Sequence, residues 1–286
     1  MASDTITITP LTRNIGAEIG NIDLTKPISA EVEEQLKAAI AEHQVIFFRD
    51  QQITHEQHMA VGQIFGDLIV HPGAKGIDGY EKIVAIHADK DSKYIAGDNW
   101  HSDLSCNELP PMGTMLYIHT LPDVGGDTLF SSMYAAYDAL SPAMQQYLEG
   151  LQAEHDANHV YHAIYGDYGT AYPCNVHPVV RTHPVTGKKA IFVNASYTTR
   201  ILGVSKNESD GILAMLYELA KDPNFQVRFS WQPHSIAIWD NRCTQHCAIP
   251  YDDSLEDRYM LRTTLEGDVP FYTTRDEHQI KSSLVQ

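Results

Sequence analysis

The sequence predicts a mainly β protein with flanking helices around a β-sandwich or jelly-roll core, and three observations support this. Short β-type runs recur at uneven spacing, among them QVIFF (44–48), KIVAIH (82–87), MGTMLYIHT (112–120), FQVRFSW (225–231) and SIAIWD (235–240). Helical patterns do not alternate strictly with these runs, as a doubly wound α/β sheet would require. No repeat, low-complexity tract or Pro/Gly/Ser-rich linker divides the chain, so a single domain over residues 1–286 is expected.

The helices are read from apolar periodicity and start signals. Residues 29–43 (SAEVEEQLKAAIAEH) carry the pattern; 54–65 open with Thr54 and Gln57 placed as a capping box, and 205–222 with Ser205 and Glu208. A further helical region, 131–149, is divided at Ser141-Pro142, because Pro suits the first turn of a new helix. The runs AIFVN (190–194) and YMLRTTLEG (259–267) complete the expected strands.

Composition removes several classes of function. Hydrophobic residues make up 43% of the chain, enough for a substantial core, yet no stretch approaches the roughly 20 apolar residues that span a bilayer. The start MASDTITITP lacks a basic head and an apolar run, so a soluble, cytoplasmic protein is expected, with no membrane partner. A formal charge of −17 argues against nucleic acid and makes each Arg or Lys cluster informative. The four cysteines are too few for a disulfide scaffold and lack the spacing of a structural zinc site, so they are expected as free thiols.

With 15 His in the chain, a His-x-Asp pair is expected by chance, and two occur. His87 and Asp89 run into KDSK, which reads as a solvated turn. His101 and Asp103 follow Trp100 and precede a buried strand; on a strand, residues two apart would present an imidazole and a carboxylate to one ion. The third ligand candidate is His246, delivered by IAIWDNRCTQHC after an apolar strand turns. Alone it reads sooner as a hydrogen-bonded core histidine than as a ligand. Two His and one carboxylate leave positions open on the metal, the arrangement of non-haem Fe(II) oxygenases, whereas structural zinc is closed by four ligands. Arg258 and Arg262, four apart on a strand, would face one side and require anions. Charge alone equally allows two surface arginines balancing Asp252, Asp253, Glu256 and Asp257. Cys247 adjoins His246, but strand neighbours point to opposite faces and no separate base is evident, which disfavours a catalytic thiol.

Taken together, NWHSD (99–103), GGDTLF (125–130), HPVVRTHPVTGKKAIFVN (177–194), IWDNRCTQH (238–246) and RYMLRTTLEGDVPF (258–271) resemble the taurine dioxygenase family of Fe(II)- and 2-oxoglutarate-dependent oxygenases. The opening segments IGAEIGNIDL (15–24) and HQVIFFRDQQIT (43–54) are similar too. The resemblance implies a double-stranded β-helix of the jelly-roll type, with iron held by His101, Asp103 and His246. It places Thr128 and Arg258 on the distal carboxylate of 2-oxoglutarate. Arg262 matches an arginine near the inner carboxylate that also meets the substrate's acid group, and His71, beside the backbone of Leu104, matches a substrate-facing histidine. The loop between His246 and Arg258 is slightly longer than the family pattern.

The implied activity is a dioxygenase that consumes Fe(II)-bound dioxygen and 2-oxoglutarate, hydroxylates a small anionic organic substrate, and releases succinate and CO2. A sulfonate, alkyl sulfate, aryloxyalkanoate or other carboxylate fits, since residues 130–151 resemble relatives acting on aryloxyalkanoates and alkyl sulfates. Taurine fits poorly: Ala74 and Gly97 stand where taurine-cleaving members hold the amine with Tyr and Asn. Substrate choice would rest on loops such as 73–80 and 158–172, the latter a candidate lid. A homo-oligomer, dimer or tetramer, is implied. The rivals are a zinc-dependent hydrolase on the same ligands and a jelly-roll binding protein without catalysis.

Overall fold

The computed structural model describes residues 5–72, 74–89, 97–158, 160–161, 172–250 and 257–274. A large sheet contains β1 (Thr7–Pro10), β2 (Ala17–Gly20), β3 (Val45–Phe48), β4 (Leu68–Ile69), β5 (Gly76–Ile77), β6 (Tyr80–Ala88) and β7 (Gly113–Thr120), with β15 (Ile236–Asp240) and β17 (Arg258–Leu265). Its order is β1-β2-β3-β15-β7-β17-β6-β5, and β4 pairs with β17. A small sheet of β14 (Gln226–Phe229), β8 (Thr128–Ser132) and β16 (Thr244–Ala248) faces it. Strands remote in sequence thus lie side by side, as a jelly roll requires.

The apolar runs are continuous because the central strands are buried on both faces. Val45 and Phe47 of β3, with Ala237 and Trp239 of β15, point between the sheets and meet Phe130, Val227 and Phe229. The alternate residues Ile46, Phe48, Ile236 and Ile238 point outward and are covered by Leu36, Ala39, Ile40 and Val61. Those four come from α1 (Ala30–His43) and α2 (His55–Gln63). Ser29 caps α1, which ends where Gln44 turns left-handed (φ 67°), and the Thr54/Gln57 capping box opens α2 as expected.

The helical region at 131–149 is shorter than its pattern: residues up to Ser132 belong to β8, and α3 (Met133–Asp138) and α4 (Pro142–Leu148) follow, divided at Ser141-Pro142. α5 (Lys206–Leu219) carries the Ser205/Glu208 capping box. These three helices pack over β11 (Val180–Thr182) and β12 (Lys189–Ile191). A three-stranded sheet, β10 (Cys174–Pro178), β9 (Gln152–Asp156) and β13 (Thr198–Ile201), has short, half-polar strands that sequence patterning did not reveal. All four cysteines are free.

Burial holds His58, between α2 and β17, down to a pKa of about 3, well below the ordinary value, with His119 and His55 adding repulsion. The unfolded chain therefore takes up a proton there between about pH 6.5 and 3 while the folded chain does not, so stability falls as pH falls through that window. Urea unfolding at pH 7 and pH 5 should show a loss in His58→Leu smaller than in the unaltered protein by about 2 kcal/mol; an equal loss in both would contradict this.

Candidate active site

His101 and His246 are joined by an isolated antiparallel bridge. The His101 N–H donates to the His246 carbonyl (3.1 Å) and the His246 N–H to the His101 carbonyl (2.9 Å), which sets the rings side by side with centroids 4.1 Å apart. His246 sits in the middle of β16, as expected. Asp103 does not lie on a strand, in contrast to the expectation of an i, i+2 pair on one face. The chain turns just after the bridge, and Leu104 adopts φ 46°. The turn succeeds because it is tied from behind. Ser102 Oγ donates to the Asn241 carbonyl (2.7 Å), Asn194 Nδ2 to Ser105 Oγ (2.8 Å) and Asn175 Nδ2 to the Cys106 carbonyl (2.7 Å). The half-polar sheet thus anchors the segment that carries Asp103.

Asp103 Oδ1 lies 3.7 Å from His101 Nε2 and 3.8 Å from His246 Nε2, too far for hydrogen bonds. The three candidate ligand atoms fall within 4.8 Å of one another. Burial alone would raise the Asp103 carboxyl, but Arg262 above all, then His246, His101 and the Thr114 hydroxyl, hold it well below the usual range. His246 is driven the other way, well below its ordinary value, by burial and by the neighbouring His101. His101 Nδ1 is 2.7 Å from the Asn99 carbonyl, which makes that nitrogen the donor and leaves the Nε2 lone pair facing Asp103. One ionised carboxylate and two lone-pair nitrogens are the donor set a divalent cation takes.

Thr128, at the head of β8, and Arg258 and Arg262, on β17, line one cavity with His101 and His246. Both arginines reach inward: Arg258 is buried, and Arg262 Nη2 lies 3.0 Å from Asp103 Oδ1. The buried Arg262 Nε has no hydrogen-bond partner among the described residues, which leaves it able to receive an anion. Trp231 Nε1 donates to Thr128 Oγ1 (3.0 Å), so the Thr128 hydroxyl hydrogen is left for another acceptor. His71 is half-buried after β4 and does not line this cavity, yet burial and the nearby Arg262 depress its pKa to about 4. Leu104 is buried and packs with Tyr161 and Tyr197. Gly97 has φ 85°, and a Cβ there would lie 3.3 Å from His101 Cε1.

Among the described residues the other His-x-Asp pair forms no such cluster. His87, next to last in β6, is exposed and lies 3.9 Å from Asp257. A second group of possible ligands, His183, Asp240 and Cys243, is fully buried but already satisfied. Arg242 binds both Asp240 oxygens (2.9 and 2.6 Å), His183 Nε2 donates to Asp240 Oδ2 (3.0 Å), and His183 Nδ1 accepts the N–H groups of Val185 and Thr186. It is a hydrogen-bonded framework, not an ion pocket. Residues 251–256, which hold Asp252, Asp253, Glu256 and the longer loop, lie outside the described residues, as do Gly73 and most of 158–172, the candidate lid. Sequence reasoning missed Thr114, Trp231 and Asn241, whose one signal is a polar or indole side chain within or just after an apolar run.

A jelly roll with two imidazoles, one carboxylate and two arginines turned into its mouth defines a mononuclear metal-site protein that also receives anions. Residues 7–264 match the family described as taurine catabolism dioxygenase TauD, TfdA family, and the chain belongs to that family. It is 30% identical over 275 residues to an α-ketoglutarate-dependent sulfate ester dioxygenase of Pseudomonas putida, covering 91% of this chain and 89% of that one. It is also 30% identical over 292 residues to an α-ketoglutarate-dependent sulfonate dioxygenase of Saccharomyces cerevisiae, covering 96% and 71%. A crystal structure of a taurine dioxygenase from Burkholderia xenovorans superposes with a TM-score of 0.81 at 35% identity, covering 93% of each chain. The protein is an Fe(II)- and 2-oxoglutarate-dependent dioxygenase with a jelly-roll core, which sets aside the hydrolase and the non-catalytic binding protein.

The two ligand groups should respond oppositely to substitution. Asp240→Asn leaves the buried Arg242 uncompensated and should cost about 3 kcal/mol in urea unfolding without lowering bound iron. His101→Ala should lower bound iron at little cost in stability; the reverse pattern would exchange the two assignments.

Proposed function

We propose that His101, Asp103 and His246 hold Fe(II), and that Thr128 and Arg258 bind the distal carboxylate of 2-oxoglutarate. Arg262, with His71 and the backbone of Leu104, receives the acid group of a small anionic organic substrate. The observation that carries this reading is the meeting of two lone-pair imidazoles and Arg262 at one oxygen of an ionised carboxylate. Bound there, Fe(II) with dioxygen supplies the oxidising power for hydroxylation, with succinate and CO2 as coproducts.

The chain's own part is aim and exclusion of water. Thr128, accepting from Trp231, turns its hydrogen toward a carboxylate, and Arg258 supplies charge beside it. Leu116, Met260 and Trp239 wall the cavity with apolar surface. Arg262 fixes the substrate's acid group and hence which carbon faces the metal.

The substrate proposed is an acid headgroup on an apolar or aromatic body, a sulfonate, alkyl sulfate, aryloxyalkanoate or other carboxylate, and the relatives named for sulfonates and sulfate esters support the first two. Taurine is disfavoured. Ala74 and Gly97 offer its ammonium no polar side chain, and at Gly97, left-handed and with a Cβ position 3.3 Å from His101 Cε1, a polar side chain would be strained. We further propose one dioxygenase domain over residues 1–286, acting as a cytoplasmic homo-oligomer, dimer or tetramer. No helix among the described residues is long and apolar enough to cross a membrane.

A panel of sulfonates, alkyl sulfates and aryloxyalkanoates, read by succinate formed and by sulfite, sulfate or phenol released, should show turnover on at least one class and little on taurine. Taurine matching the best substrate would overturn the reading of Ala74 and Gly97. Arg258→Ala should raise the Kd for 2-oxoglutarate at least ~10-fold, as a charge-assisted pair is lost; unchanged affinity would remove Arg258 from that role.

A further inference from the structure

We propose that Thr114 and Asn241 are positioning residues that hold Asp103 as a one-oxygen ligand and so keep a place on the metal open for 2-oxoglutarate. The inference rests on the reading of Asp103 as an iron ligand. The two oxygens of its buried carboxylate have different surroundings. Oδ1 faces His101, His246 and Arg262. Oδ2 is turned away from them and accepts hydrogen bonds from Thr114 Oγ1 (2.7 Å) and Asn241 Nδ2 (3.2 Å).

The donors are fixed in their turn. Asn241 Oδ1 accepts from Trp239 Nε1 (2.9 Å) and from the Asp103 backbone N–H (3.3 Å). Indole and backbone N–H groups only donate, so the atom they share must be the amide oxygen, and Nδ2 must face the carboxylate. The second Asn241 N–H meets Thr114 Oγ1 at 3.1 Å, whose own hydrogen goes to Asp103. Aspartate, threonine and asparagine thus close a three-membered ring of hydrogen bonds with one possible direction. Strand register supports it: Thr114 on β7 lies opposite Trp239 on β15, two residues before Asn241.

Two donors on Oδ2 occupy the lone pairs it would need to bind a cation. Without them Oδ2 would be a buried anionic oxygen beside a cation, and turning to the metal would be its cheapest relief. A carboxylate bound through both oxygens takes a position that a chelating keto acid needs. Loss of the ring should therefore weaken 2-oxoglutarate more than the metal, a split that a merely structural role would not produce.

Thr114→Val keeps shape and removes the donor, and Thr114→Ser restores it. Anaerobic titrations with Mn(II), then with 2-oxoglutarate on the Mn(II)-loaded protein, should give Thr114→Val a near-unaltered Mn(II) Kd and a 2-oxoglutarate Kd raised about 10-fold. Thr114→Ser should return both to their original values. Unaltered 2-oxoglutarate affinity in Thr114→Val, or joint loss of both ligands that Thr114→Ser fails to restore, would overturn the inference. Asp103→Ala serves as the control: Mn(II) affinity lost there, with 2-oxoglutarate affinity unaltered in Thr114→Val, removes the positioning role alone, whereas Mn(II) affinity retained in Asp103→Ala removes the ligand reading itself.

Discussion

The ionised carboxylate of Asp103, only 2% exposed, is the constraint on which the rest of the site depends. A buried charge must be compensated or the group will neutralise. The compensation here comes from three places in the fold, Arg262 on β17, Thr114 on β7 and Asn241 after β15, while the imidazoles of His246 on β16 and His101 at the bridge face the same carboxylate. Arg262 and Thr114 belong to the large sheet, Asn241 directly follows its strand β15 and His246 belongs to the small one, so the five side chains meet only once the two sheets have closed. Folding and site assembly are therefore one event, and the site inherits the rigidity of the sandwich.

That rigidity comes from double burial. Phe47 and Trp239 pack between the sheets while Ile46 and Ile238 pack beneath the helices, so β3 and β15 are pinned on both faces. A slip by one residue would exchange every such contact. The turn bearing Asp103 lacks strand pairing, and Asn194 and Asn175 from outside the sandwich supply what a ladder would. The backbone that carries Asp103 is thus held by polar side chains, and His246 by strand pairing.

Much of this was legible in the sequence. The central strands announce themselves as β-type runs, and the capping signals at Thr54 and Ser205 mark true helix starts. The likeness to the dioxygenase family was carried by ordered motifs, and no single His-x-Asp pair could have carried it, since His87 and Asp89 have the same spacing and His87 lies exposed beside Asp257. What escaped was whatever depends on tertiary partners. Asp103 reads as a strand residue because nothing nearby in sequence shows that Asn194 and Asn175 will bend its segment. Thr114 reads as one polar residue in an apolar run, and only the register against Trp239 reveals its partner. The short strands β9, β10 and β13 escaped because half-polar, half-covered segments lack a clean period.

The central claim is that His101, Asp103 and His246 hold one Fe(II) to which 2-oxoglutarate binds. Its most direct test is the anaerobic visible spectrum of the iron-loaded protein on addition of 2-oxoglutarate. The account predicts a weak charge-transfer band in the unaltered protein that is absent from His246→Ala at the same iron and cosubstrate concentrations. No band in the unaltered protein, or the same band in His246→Ala, would contradict it.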